Sequence, residues 1–292
     1  MKVGLIDVDG HNFPNLALMK LSAWHKRKGD HVEWYEPLMS GHCDKVYLSK
    51  VFTFTPDYEY FIDADEIEKG GTGYKLYDKH LPEEVDHIFP DYSIYPQYDF
   101  AVGFLTRGCI RKCPWCVVPK KEGYIKPYCT WESVKRPDTN KIVFLDNNVL
   151  ASDYGIEQIR SMIGQDVRID FNQGLDARLI TDEVAEILSK VKWIRMIRLA
   201  CDTSAMIPIV TEAVNKLNKY GWKSYRIFVY TLIQDVEEAY DRIKALDAIG
   251  VEPFAQPYRD FETNYINPDH KRLARWCNHR AIHKTVDFKD YK

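Results

Sequence analysis

Residues 103–119 read GFLTRGCIRKCPWCVVP and hold three of the seven cysteines of this 292-residue chain. Cys109, Cys113 and Cys116 have the spacing C-x3-C-x2-C and follow an apolar run at 100–105. Thiolates at such short intervals can turn toward one centre, as they do around iron–sulfur clusters. A four-iron cluster with three protein ligands keeps one iron open for a small molecule, much as a catalytic metal site keeps one position free. The spacing therefore predicts a metal site on this loop.

The chain around this loop predicts a parallel sheet. From residue 99 onward, strand-like runs alternate with helix-like runs, which is the pattern of parallel strands joined by crossover helices. The predicted strands are FAVGFL (100–105), KIVFLD (141–146), VRIDFN (167–172), WIRMIRLA (193–200), YRIFVYTL (225–232) and VEPFAQP (251–257). The predicted helices lie near 154–164, 181–190, 207–220 and 235–249. Six strands at this spacing predict a partial (β/α)6 TIM-like barrel over 96–262, followed by a helical tail at 263–292 that packs on the barrel.

The first 95 residues predict a separate small domain. An apolar strand-like run at 2–9 is followed by residues with helical spacing up to Gly29, and further strand-like runs come after it. We expect a flavodoxin-like or Rossmann-like α/β domain over 1–95, so the fold class of the whole chain is α/β. The glycine-rich segment 70–73, GGTG, predicts a close approach of the backbone to another group.

The composition is that of an ordinary soluble globular protein, with 45% hydrophobic and 28% charged residues. A net charge of −3 does not indicate a general nucleic-acid binder or a membrane-surface protein. The N-terminus lacks the features of a signal peptide, and no run of about 18 apolar residues follows. We therefore expect a cytoplasmic protein without a membrane partner. In that reducing compartment, an odd number of cysteines favours metal or catalytic chemistry over disulfides.

The cysteine loop resembles the cluster loop of the radical S-adenosylmethionine (SAM) superfamily, which has an aromatic residue just before the last cysteine. Trp115 matches that position. The resemblance implies a partial barrel, a [4Fe–4S] cluster on the three cysteines, and SAM bound through its amino and carboxylate groups to the open iron. It also implies reductive cleavage of SAM to a 5′-deoxyadenosyl radical, which abstracts hydrogen from a substrate, and a small reductant protein such as a flavodoxin or ferredoxin. The substrate is not identified by the resemblance.

Polar residues at the ends of the predicted barrel strands are candidates for contacts with SAM. Asp146, Asn147 and Asn148 stand where the superfamily has a Gly-Gly-Glu type motif, and they offer the acceptors that an ammonium group requires. Asp-Asn-Asn is equally typical of a simple turn. Because barrel enzymes carry their chemistry at strand ends, further candidates follow the later strands, although each could instead be a helix cap or a surface group. These are Asn172, Gln173, Asp176, Arg178, Arg198, Asp202, Ser204 and Gln256.

Other interpretations of the cysteines remain open. A structural zinc site or a non-catalytic electron-transfer or docking module is the first alternative, although zinc sites usually show two cysteine pairs and no second pair occurs here. Cys129, thirteen residues beyond Cys116, could reach back as a fourth ligand. The loop is also similar to that of the tRNA methylthiotransferases, which makes a nucleic acid or nucleotide substrate, with methyl or methylthio transfer, a minority alternative. The extra N-terminal cysteines and the RNA-binding domain of those enzymes are missing.

The N-terminal domain resembles a shortened cobalamin-binding domain. It lacks the Asp-x-His-x-x-Gly signature of histidine-ligated cobalamin, so we favour a structural or substrate-gating domain over cobalamin binding. The segment LIDVDGHNFPN also resembles the Asp-x-Asp loop of haloacid-dehalogenase-type phosphatases, but His11 stands where threonine is expected.

The tail is rich in basic residues around Trp276 and could meet phosphates. We favour a terminal helix with a solvated basic face. The basic residues are Lys271, Arg272, Arg275, Arg280 and Lys284.

Overall fold

A computed structural model describes residues 1–292 as a mixed α/β protein with parallel sheets. The chain divides into two compact units, Met1–Val102 and Gly103–Lys292. The tail beyond 262 belongs to the second unit rather than forming a unit of its own. No helix in the structure is both long enough and apolar enough to span a membrane.

The first unit contains one parallel sheet of four strands in the order β2-β1-β3-β4. The strands are β1 (Lys2–Asp7), β2 (His31–Trp34), β3 (Cys43–Ser49) and β4 (Ala64–Gly70), and the helices are α1 (Leu16–Arg27) and the short α2 (Glu83–Asp86). Asn15 caps the N-terminus of helix α1, and its side chain accepts a hydrogen bond from the backbone N–H of Leu18. Leu18 and Leu21 of α1 pack against Val3 and Leu5 of β1.

The glycine-rich segment at 70–73 approaches its own chain. The backbone N–H of Gly73 donates to the carbonyl of Lys50 at 2.8 Å. A Cβ atom on Gly71 would lie 2.3 Å from that carbonyl oxygen, and Gly71 has φ +102°, so only glycine fits there. The close approach that the sequence predicts is therefore an approach to the loop after β3.

The second unit contains two parallel sheets. Strands β5 (Ala101–Gly103), which runs across the division between the units, β8 (Lys141–Phe144), β9 (Arg168–Phe171) and β10 (Lys192–Trp193) form one sheet in the order β10-β9-β8-β5. Strands β11 (Ile197–Ala200), β12 (Ile227–Ile233) and β13 (Glu252–Pro257) form the other. A parallel bridge between Leu175 and Leu199 joins the two sheets. The α/β class is confirmed, whereas closure of these strands into a partial barrel stays a prediction.

Four crossover helices lie close to their predicted positions. They are α5 (Asp153–Ser161), α6 (Asp182–Lys190), α7 (Ile207–Lys219) and α8 (Val236–Ala248), preceded by the single turns α3 (Val118–Lys121) and α4 (Trp131–Val134). The prediction of one strand over 193–200 was wrong. This apolar run is divided between β10 and β11, because the chain bends at 194–196 and passes from one sheet to the other.

The tail forms α9 (Pro268–Asn278) and α10 (Arg280–Thr285). Trp276 and Phe288 are buried with Ile243 of α8 in one apolar cluster. Four of the five basic residues of the tail are exposed, and the fifth, Arg272, donates to the carbonyl of Tyr291 at 2.7 Å. The tail thus buries its aromatic side chains beside α8 and leaves four basic side chains exposed to solvent.

Candidate functional site

The cysteine loop leaves the sheet directly after β5. Strands β6 (Thr106–Arg107) and β7 (Lys126–Pro127) pair in antiparallel fashion and close the loop at its base. The backbone N–H of Cys109 donates to the carbonyl of Gly123 at 3.2 Å. Gly108 has φ +89°, and a Cβ atom there would lie 2.5 Å from the carbonyl oxygen of Tyr124. A side chain at 108 would therefore push the two arms of the loop apart.

The three cysteines of the loop are free thiols that differ in exposure. Cys109 and Cys113 are half-buried, and Cys116 is exposed. A turn joins the last two, because the backbone N–H of Cys116 donates to the carbonyl of Cys113 at 3.0 Å. No three His, Cys, Asp or Glu side chains converge closely enough to hold a metal ion. That finding concerns a single ion, which requires its sulfur ligands about 2.3 Å from one point, whereas the ligands of a four-iron cluster bind separate irons.

Asp146, at the end of β8, fixes the start of this loop. The side chain is 1% exposed and accepts hydrogen bonds from the backbone N–H groups of Leu105 (3.0 Å) and Thr106 (2.6 Å) and from the Thr106 hydroxyl (2.7 Å). Burial raises the pKa of the Asp146 carboxyl to about 6, although these donors oppose the rise. The structure therefore places Asp146 as a support of the loop, and its contact with a cofactor stays a prediction.

The two asparagines after Asp146 also meet the loop. Asn147 Oδ1 accepts a hydrogen bond from the backbone N–H of Gly108 at 3.3 Å. Asn148 is 3% exposed, and its Nδ2 lies 3.4 Å from the sulfur of Cys109 and 3.4 Å from Asp176 Oδ2. Asn148 Oδ1 is buried and has no hydrogen-bond partner. A buried acceptor without a partner is costly, so this atom fits a donor that a bound ligand would supply.

Asp176 is the centre of the charges beside the cysteines. Arg178 donates to its carboxylate from Nε at 2.6 Å and from Nη2 at 3.0 Å, and Arg111 of the loop donates from Nε at 2.9 Å. Burial favours a higher pKa for Asp176, but the hydrogen bonds from Arg178 and Arg111 outweigh burial and lower it. Asp176 is therefore a fixed anion that holds two guanidinium groups in place.

Arg178 and Asp202 complete the group of charges. Arg178 interacts electrostatically with Cys109 and Cys113, and its side chain is about one-third exposed. Asp202 interacts electrostatically with Cys113 and Cys116, and burial raises the pKa of the Asp202 carboxyl. The structure thus brings together the thiols and three predicted site residues, Asn148, Asp176 and Arg178, with Asp202 beside them.

Other predicted residues have no hydrogen bond or ion pair to the cysteine loop. Arg198 binds Asp170 through Nε and Nη2, both at 2.7 Å, and Ser204 donates to Glu238 Oε1 from its backbone N–H at 2.7 Å. The backbone carbonyl of Asn172 accepts from the Tyr230 hydroxyl at 2.9 Å. Gln173 and Gln256 are exposed, and Trp115 of the loop itself is half-buried. Any contact of these residues with a cofactor stays a prediction.

Cys129 lies two residues beyond β7. Its backbone N–H donates to the carbonyl of Leu105 at 3.3 Å, and its thiol acts electrostatically on Tyr154. Participation of Cys129 as a fourth ligand stays a prediction.

Sequence analysis missed Arg111 and Thr106. Arg111 stands between two of the cysteines, and its position in the loop was the available signal. Nothing in the sequence indicates that Thr106 would bind Asp146.

No protein family and no curated protein matches the sequence. Among solved structures, the chain is similar to SuiB of Streptococcus suis, whose crystal structure was determined with bound S-adenosylmethionine. The identity is 15%, the match covers 64% of this chain and 48% of SuiB, and the TM-score is 0.46. The chain thus spans about half the length of the structure it matches. At this TM-score the likeness carries no argument about fold or ligand.

Proposed function

We propose that this chain is an enzyme that binds a [4Fe–4S] cluster through Cys109, Cys113 and Cys116 and cleaves SAM reductively at the open iron. The observation that carries the proposal is that Asn148 Nδ2 lies 3.4 Å from the sulfur of Cys109, beside Arg178, whose guanidinium interacts electrostatically with Cys109 and Cys113. The donor set fits the cluster chemically, because three thiolates leave one iron for a ligand. The superfamily resemblance of the loop points to SAM as that ligand.

When bound and reduced by an external electron donor, the cluster would supply the one electron needed to cleave SAM to methionine and a 5′-deoxyadenosyl radical, which would abstract a hydrogen atom from the substrate. The residues of the chain hold the reactants. In this proposal Asn148 Oδ1 accepts a hydrogen bond from the ammonium group of SAM, and the partly exposed guanidinium of Arg178 donates to its carboxylate. Asp176 keeps Arg178 in position. An amino acid moiety, which carries both groups, is thus recognised at one place.

Other parts of the proposal rest on the resemblance alone. An electron donor is required, and a small flavodoxin or ferredoxin fits that need. We also propose a cytoplasmic location and a structural or substrate-gating role for the first unit.

The test is formation of 5′-deoxyadenosine. The full chain is reconstituted anaerobically with iron and sulfide, reduced with dithionite and given SAM, and the nucleoside is quantified by chromatography. We expect 5′-deoxyadenosine from the wild-type protein and none from Cys113→Ala. A wild-type protein that holds four irons per chain but forms no 5′-deoxyadenosine would contradict the proposal and favour an electron-transfer module. Zinc with negligible iron in the anaerobically purified protein would contradict the proposal before any SAM is added.

A further inference from the structure

The three cysteines of the loop do not have equal surroundings. The sulfur of Cys109 accepts two hydrogen bonds, one from the backbone N–H of Arg111 at 3.3 Å and one from Asn148 Nδ2 at 3.4 Å. Neither Cys113 nor Cys116 has a side-chain donor at its sulfur. Asn148 is therefore the one side chain that contacts a thiol of the loop by a hydrogen bond.

The contacts of Asn148 define how its amide is oriented. Nδ2 lies against Asp176 as well as Cys109, and an ionised carboxylate can only accept hydrogen bonds. Arg178 and Arg111 lower the pKa of Asp176, so it stays ionised at neutral pH. The amide must then direct its two N–H groups toward the carboxylate and the sulfur, which leaves Oδ1 as the buried acceptor without a partner.

We propose that Asn148 is a positioning residue that sets the reduction potential of the cluster through its N–H···S hydrogen bond to Cys109, an inference that rests on the proposed function. Hydrogen bonds to cluster sulfurs are among the factors that tune cluster potentials, because the positive end of the N–H dipole stabilises added negative charge. Reduction adds one negative charge. The hydrogen bond therefore favours the reduced cluster, and its loss makes reduction more difficult.

Two variants with side chains of similar shape separate the effect of the hydrogen bond on the cluster potential from the effect of charge. Asn148→Leu has the same branching and no N–H group. Asn148→Asp also lacks the N–H group, keeps the acceptor and adds a negative charge. Asn140→Leu is the matched control, because Asn140 binds Asp166 at 3.2 Å and has no bond to the cysteine loop. The full-length proteins are reconstituted anaerobically, their iron content is measured, and the cluster potential is determined by a redox titration followed by electron paramagnetic resonance (EPR).

We expect Asn148→Leu to reduce the ratio of reduced to oxidised cluster about tenfold at a fixed applied potential, which for one electron is a shift of about 59 mV to a more negative value. Asn148→Asp is expected to shift the potential further in the same direction, and Asn140→Leu is expected to leave it unchanged.

An unchanged potential in Asn148→Leu with full iron content overturns the inference, even if Asn148→Asp shifts, because charge alone would then explain the shift. If Asn148→Leu does not fold or does not hold iron, Asn148→Ala, which is also neutral and lacks the N–H group, takes its place: a potential about as negative as expected for Asn148→Leu supports the inference, and an unchanged potential overturns it. A wild-type protein that binds no cluster gives no signal to titrate, and this overturns the proposed function together with the inference.

Discussion

The two units both carry polar residues at the carboxyl ends of parallel strands, but they use them differently. In the first unit, Asp9 accepts hydrogen bonds from the backbone N–H groups of Val51 and Phe52 and from the Thr55 hydroxyl, and Asp7 accepts one from the Tyr95 hydroxyl at 2.6 Å. These acidic side chains are occupied by the loops of their own unit. Their oxygens therefore hold the loops that follow the strands and are not offered to a ligand.

In the second unit, residues at the strand ends keep acceptors and thiols that could bind a ligand. Asp146 is fully used to hold the loop, but Asn148 keeps an unpartnered Oδ1, and the thiols of the loop are free. A polar residue at a strand end is thus a functional candidate only if hydrogen bonds within the fold do not already occupy its donors and acceptors. This difference is why we place the chemistry in the second unit and give the Asp-x-Asp segment of the first unit a structural role.

The largest effect is expected from loss of one cysteine of the loop. Replacement of Cys113 by Ala removes one of three cluster ligands, so iron content and SAM cleavage should both fall to background. Metal analysis after anaerobic reconstitution measures the iron content, and the yield of 5′-deoxyadenosine measures SAM cleavage. Cys277→Ala is the matched control, because this buried thiol packs in the apolar cluster of the tail. It should keep its iron and lose roughly 0.5–3 kcal/mol of stability.

Cys129→Ala decides whether the cluster has an open iron. The proposed open iron requires that Cys129 is not a cluster ligand, so this variant should hold as much iron as the wild type. Loss of iron as complete as in Cys113→Ala would mean that Cys129 is a fourth ligand, and the open iron would be wrong.

A smaller effect is expected from the buried carboxyl that supports the loop. The pKa of Asp146 is raised to about 6 in the folded protein from 3.8, so the unfolded chain releases this proton first as the pH rises. Stability should therefore fall between about pH 4 and pH 6, by about 3 kcal/mol, at roughly 1.4 kcal/mol for each pKa unit.

Urea unfolding of the apo protein at several pH values measures this contribution, with Asp146→Asn as the comparison. The variant should be less stable, because the NH2 group of the amide would replace one acceptor oxygen and face a donor of Leu105 or Thr106. Its stability should also depend less on pH in this window. Parallel pH curves for the two proteins would show that Asp146 does not titrate in this way.

In the first unit, Gly71→Ala should destabilise the fold without affecting the chemistry. The added Cβ atom would meet the carbonyl of Lys50, and the positive φ adds strain, at a cost of roughly 1–3 kcal/mol. The melting temperature should fall while iron per chain remains at the wild-type value. Gly29→Ala is a useful control, because its φ is +82° but nothing lies within 4 Å of the added atom. It should therefore cost less than Gly71→Ala.

The smallest effect is expected at the basic face of the tail. Lys284→Ala changes an exposed side chain and should alter stability by no more than about 0.5 kcal/mol. Iron content and SAM cleavage should also be unchanged. A clear loss of SAM cleavage in this variant would indicate that the tail takes part in the site, contrary to its assignment as a solvated helix face.

The sequence predicts the secondary-structure elements and the cysteine loop better than it predicts the contacts between side chains. Alternation of apolar runs and helical spacing gives the four crossover helices of the second unit, because burial of one face governs both patterns. It fails at 193–200, where an unbroken apolar run hides the bend between β10 and β11. Apolar composition alone does not report which sheet a strand joins.

For the site, spacing identifies the three cysteines because they are close in the chain. The roles of Asp146 and Asn148 depend on hydrogen bonds between residues about forty positions apart, such as that from Thr106 N–H to Asp146. The sequence places both residues at a strand end but does not indicate which acceptor the fold occupies and which it leaves open. Arg198 shows the same limit, because its bidentate bond to Asp170 is visible only in the structure.

The most direct test of the central claim is the EPR spectrum of the reduced, reconstituted protein without and with saturating SAM. If one iron is open beside Asn148 and Arg178, binding of SAM at that iron changes the electronic surroundings of the cluster, and the account predicts a changed spectrum. The same change is expected in Cys129→Ala, since the proposal does not use this thiol as a ligand. An identical spectrum with and without SAM, in a protein that holds a full cluster, would contradict the account.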